Sequence, residues 1–124
     1  MAEFLLYAGS IIITIWGIAH IVPIKPVVKG FGAISDDSKK IITMEWVAEG
    51  LALCFIGLLT LFVTILGEAD NPVSLIVYRA CGGMLLAMAL WTSLTGARTS
   101  IIPIKICPFV KTVVAILFLV GSII

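Results

Sequence analysis

Residues 41–66 read IITMEWVAEGLALCFIGLLTLFVTIL, an apolar run interrupted by two acids, Glu45 and Glu49, and three threonines. At 1.5 Å rise per residue, a helix of this length crosses a hydrocarbon core of about 30 Å with turns to spare. A barrel strand would alternate apolar and polar positions, and this run does not. Three further runs of the same kind flank it, at 4–22, 73–94 and 106–124. The whole chain of 124 residues is 61% hydrophobic and 12% charged, with a mean hydropathy of +1.24. Soluble domains carry about 25% charged residues. The reading is all-α: a four-helix transmembrane bundle forming a single domain over 1–124, multi-pass in the cell membrane, with lipid as its surroundings. A net charge of +1 leaves no basic excess with which to grip nucleic acid.

The boundaries carry their own signals. Pro23 and Pro26 end the first helix, because proline donates no hydrogen bond and disfavours helix in the residue before it. Ser35 reads as an N-cap, with Asp36 and Asp37 on the positive end of the helix dipole. The second helix then starts near Asp36, outruns the bilayer core and stands its first two turns in the interface. Gly67 closes it, and Asn71-Pro72 opens the third with proline in the first turn. Gly96 closes the third, and Pro103 and Pro108 bracket the start of the fourth.

The eight Lys and Arg fall unevenly. Lys25, Lys29, Lys39 and Lys40 lie in or beside the first loop. Arg98 and Lys105 lie in the third, with Lys111 a turn further on and able to snorkel back. The second loop has Glu68 and Asp70 and no base. The positive-inside rule makes the first and third loops cytoplasmic and puts both termini on the outer side. The N-terminus lacks a positively charged stretch, and its first run is long enough to span, so no cleaved signal peptide is expected. Cys54, Cys81 and Cys107 are scattered, without a C-x-x-C pair, and read as small apolar packing residues.

Ionisable residues inside spans are expensive to bury unpaired, so they are the informative positions. His20 closes the first span. Glu45 and Glu49 share a face of the second at i,i+4, followed by Ala52, Ile56 and Thr60. His20 stands above Trp16, Ile13 and Gly9 by the same spacing, and Met84, Met88 and Trp91 form a stripe on the third span. The depths match, so His20, Glu45, Glu49, Trp16 and Trp91 are expected to form one pocket at the cytoplasmic level. Two carboxylates one turn apart can share a proton, and aromatic walls hold an amphipathic or cationic ligand. A metal is not expected, because His20 is the only imidazole. No pattern names a cofactor. On the outer side, Arg79 and Tyr78 suggest a second polar site, with Arg79 reaching toward the headgroups, an anionic ligand, or Glu68 and Asp70. Gly83 and Ala87 are spaced for close helix approach, within the bundle or in a homo-oligomer.

The stretch Gly17 to Pro23 (Gly-Ile-Ala-His-Ile-Val-Pro), ending the first of four spans in so short a chain, resembles the DoxX-like group of small four-helix membrane proteins. That group includes quinone-linked and accessory subunits, so the resemblance implies the bundle and leaves enzyme and helper both open. Three functions fit the residues. One is a small protein binding or transporting a lipid-like ligand with coupled protonation. Another is an accessory or scaffolding subunit, with Glu45 and the tryptophans merely interfacial. The third is an acid/base enzyme acting on a lipid or quinone-like substrate.

Overall fold

Ser35 begins the longest helix as its sequence dictates: its side chain accepts a hydrogen bond from the backbone N–H of Ser38 at 3.1 Å, and Asp36 and Asp37 occupy the first turn. The computed structural model describes all 124 residues as helices α1 (Ala2–Ile21), α2 (Ile24–Lys29), α3 (Asp36–Leu66), α4 (Pro72–Leu94) and α5 (Ile102–Gly121), with a 3-10 turn at Gly96–Arg98. α1, α3, α4 and α5 are long and apolar enough to cross a membrane. Gly67 caps the end of α3, and Asn71 opens α4 by accepting from the Val73 N–H at 2.9 Å. The 31 residues of α3 reach about 46 Å at 1.5 Å each, longer than a hydrocarbon core.

Three boundaries differ from expectation: α4 ends at Leu94 with Thr95 as its cap, and Gly96 opens the 3-10 turn rather than closing the helix; the other two lie at prolines. The first loop contains α2, with Pro26 inside it. Pro26 sits in the first turn, where a backbone N–H has no intrahelical acceptor to lose. The last helix starts at Ile102 rather than near residue 106, with Pro103 in its first turn and Pro108 inside it. Pro108 removes only its own bond to the Ile104 carbonyl, and the apolar face on either side keeps the helix running.

α1 is the centre of the assembly. It packs along both α3 and α5, and α4 packs on α5, whereas α3 and α4 scarcely meet. The ring is therefore open between α3 and α4. Lipid tails are as apolar as leucine, so close backbone approach and interhelical hydrogen bonds hold such helices together. α1 and α3 cross backbone to backbone at Gly17 and Gly50, where a Cβ on Gly17 would stand 2.7 Å from the Gly50 carbonyl oxygen. Ser10 of α1 lies 2.8 Å from the Thr60 hydroxyl of α3, and Thr64 of α3 bonds the Tyr78 hydroxyl of α4 at 2.7 Å. That last bond ties α3 to α4 at one end only. Leu6, Ile13, Leu53, Leu85, Val114 and Phe118 fill the core between these contacts and are fully buried.

The expected packing role of Gly83 and Ala87 does not appear within the chain. Both are exposed, and a Cβ on Gly83 would meet nothing within 4 Å. Its neighbour Gly82 makes the close approach instead, against Leu119 of α5.

Candidate functional site

α1, α3, α4 and α5 each send a polar side chain to one level of the bundle, opposite the Thr64–Tyr78 tie. His20 ends α1 and is 5% exposed. Its Nδ1 lies 2.7 Å from the Trp16 carbonyl. A carbonyl only accepts, so Nδ1 carries the hydrogen and the neutral ring keeps its lone pair on Nε2. Nε2 stands 3.9 Å from Glu49 Oε2 and 3.8 Å from Cys107 Sγ. The ring is flanked by Trp16, edge-on, and by Trp46, tilted at 33°, each with centroids 5.5 Å away.

Glu49 is the junction. Its Oε1 forms an ion pair with Lys111 Nζ, and Lys111 also donates to the Thr92 hydroxyl at 3.2 Å. Lys111 is fully buried, while the Glu49 side chain keeps 30% of its exposure. Lys111 therefore does not snorkel to the loop as expected. Cys107 and Lys111 are i,i+4 on the inward stripe of α5, continued by Val114, Ala115 and Phe118, so the lysine points at the carboxylate. A buried ammonium is tolerable only with such a partner.

Cys107 is likewise more than packing. Its sulfur accepts a hydrogen bond from the Trp16 indole N–H at 3.3 Å and lies 4.0 Å from Glu49 Oε1. One residue, Trp16, thus fixes the imidazole through its carbonyl and the thiol through its indole.

These groups form the floor of a cavity of about 660 Å³ between α3 and α4. Met84, Met88 and Trp91 line its α4 side, the stripe read from the sequence, and Trp46 lines the α3 side. Trp91 is 69% exposed at the open edge. Glu45 also lines the cavity, but it is exposed and forms no ion pair. Trp16 does not line the cavity. It stands behind His20, and Trp46 occupies the wall assigned to it. The Trp46 indole nitrogen is the one buried side-chain nitrogen or oxygen without a hydrogen-bond partner.

Of the five residues expected to converge, His20 and Glu49 meet, Glu45 and Trp91 line the mouth, and Trp16 supports from behind. Lys111, Cys107, Thr92 and Trp46 complete the group. For Lys111 and Cys107 the signal was their i,i+4 spacing in an apolar helix, which puts both on one face; Thr92 and Trp46 had no such signal.

The pair expected on the outer side separates. Tyr78 turns into the core to Thr64, whereas Arg79 is exposed and donates to the Ser122 hydroxyl and carbonyl at 3.3 and 3.2 Å. Arg79 forms no ion pair with Glu68 or Asp70; the carbonyl beyond the end of α5 takes its place. No family model matches the chain, and neither does any curated protein or solved structure.

Proposed function

We propose that the protein binds, and moves or presents, a membrane-resident amphiphile that enters sideways between α3 and α4 and sets its polar head against Glu49, Lys111 and His20. One observation carries this reading: the single opening in the helix ring leads to the one place where buried charges meet. Methionine and tryptophan walls suit a flexible apolar tail. Proton coupling follows from chemistry: a head that hydrogen-bonds to Glu49 competes with Lys111 and His20 for the same carboxylate. Glu45 and Cys107 are the other titratable groups that face it.

Native mass spectrometry of protein extracted in mild detergent is expected to retain one amphiphile per chain. Ala87→Trp, which fills the exposed gap beside Met84 and Met88, is expected to release it while the bundle stays folded. Undiminished occupancy in that variant would refute the reading. The accessory-subunit alternative predicts instead a co-purifying protein and no retained amphiphile.

In this reading the pocket lies at the cytoplasmic level and both termini lie outside. Burial of Lys111 removes it from the loop count, and Lys25, Lys29, Lys39, Lys40, Arg98 and Lys105 still lie at the pocket end, which preserves the positive-inside bias. In a cysteine-free variant, a cysteine at Asp70 should react with an impermeant maleimide added to intact cells, and one at Lys29 should not. The opposite pattern would invert the topology.

A further inference from the structure

We propose that His20, Cys107 and Glu49 form a three-ligand site for a zinc-class divalent metal, with its fourth position open to the cavity. The potential ligand atoms all lie within 4.8 Å of one another. Nε2 to Sγ is 3.8 Å and Nε2 to Oε2 is 3.9 Å, while the 4.0 Å approach of Glu49 to Sγ is made by its other oxygen, Oε1. Zinc bonds of about 2.3 Å to sulfur and about 2.0–2.2 Å to nitrogen and oxygen, at tetrahedral angles, set ligand atoms roughly 3.3–3.7 Å apart. Rotation of the Glu49 carboxylate and a contraction of at most about 1.5 Å close the site.

The surroundings of each ligand are those a metal requires. A ligating histidine usually donates its other ring N–H to a carbonyl or carboxylate, which fixes the tautomer and aims the lone pair. His20 does this through Nδ1 to the Trp16 carbonyl. A ligating thiolate needs compensation for its charge, and the Trp16 indole N–H already points at Cys107 Sγ. A ligating carboxylate is steadied by a hydrogen bond on its second oxygen, and Lys111 holds Oε1 while Oε2 faces His20. Lys111 therefore does not exclude the cation. With thiolate and carboxylate both ionised, its ammonium leaves the ligand set at a net charge of one minus, which a divalent ion turns to one plus. A lone histidine made a metal unexpected from composition; the missing soft ligand was Cys107.

The inference stands on these side chains and does not need the amphiphile reading. Purified protein titrated with Co²⁺ is expected to take up one ion per chain and to develop a thiolate-to-cobalt charge-transfer band with tetrahedral d–d bands. Cys107→Ser is expected to abolish the charge-transfer band, Cys54→Ser to keep it, and Trp16→Phe to weaken binding by about 10–100-fold. Ala87→Trp, which blocks the amphiphile, should leave the spectrum unchanged. A folded wild-type protein without the band, or a band that survives Cys107→Ser, would overturn the site. Should Cys107→Ser not fold, wild-type protein suffices: Zn²⁺ is expected to protect Cys107 from alkylation by N-ethylmaleimide, and equal rates with and without zinc would also overturn it.

Discussion

Glu49→Gln is expected to destabilise the folded protein by about 3–5 kcal/mol, the range for removing one partner of a buried ion pair. The physical reason is the asymmetry of the pair. Lys111 is fully buried, so a neutral amide at position 49 leaves its ammonium without a counter-charge, facing only the amide oxygen and the Thr92 hydroxyl. Lys111→Met should cost less, because the Glu49 side chain keeps 30% exposure and can rehydrate or take up a proton. The double variant Glu49→Gln/Lys111→Met should recover most of the loss, since no charge is left buried and the amide at position 49 keeps the exposure of the carboxylate it replaces. Thermal unfolding of all four proteins in one detergent measures this directly. Additive losses in the double variant would mean that the two side chains do not depend on each other.

The second large effect belongs to the crossing of α1 and α3. A Cβ on Gly17 would lie 2.7 Å from the Gly50 carbonyl oxygen and 2.8 Å from the Cys54 backbone nitrogen. Neither atom can move aside without driving the helices apart. Gly17→Ala is expected to exceed the roughly 1–3 kcal/mol typical of overpacking, and Gly17→Leu to prevent the bundle from forming. Gly83→Ala is the matched control. It adds a methyl to open space on α4 and should stabilise by about 0.5–1 kcal/mol through helix propensity. Tm values read after mild extraction test the contrast, and equal effects at Gly17 and Gly83 would contradict it.

The lengths and ends of the helices were legible because local chemistry sets them. Run length, the Ser35 and Asn71 caps and Gly67 are properties of neighbouring residues. Prolines misled where their position in the turn mattered more than their presence: Pro26 and Pro103 lie in first turns, where a missing N–H costs nothing. Packing was less legible. The sequence places glycines on several faces, and only the helix arrangement distinguishes Gly17 and Gly50, which meet, from Gly83, which faces outward.

The site divides in the same way. His20 and Glu49 stood out because ionisable groups are rare in apolar runs. Lys111 is just as rare in its run, but its nearness to a helix end suggested snorkelling. What draws it inward is Glu49, sixty-two positions earlier in the chain, and no local pattern records that pairing. Cys107 has no charge to draw notice. Its place between Trp16 and His20 comes from the packing of α1 on α5, which a sequence alone does not report.

Relative alkylation of the native cysteines in chelator-treated membranes tests most directly whether the gap between α3 and α4 leads to the charged floor. By static exposure Cys81, at 8%, should outreact Cys107, at 2%. Cys107 lines the cavity and Cys81 does not, so a small permeant maleimide followed by peptide mass spectrometry should find Cys107 modified well ahead of Cys81. Faster modification of Cys81, with Cys107 untouched, would mean that the floor is sealed from the membrane.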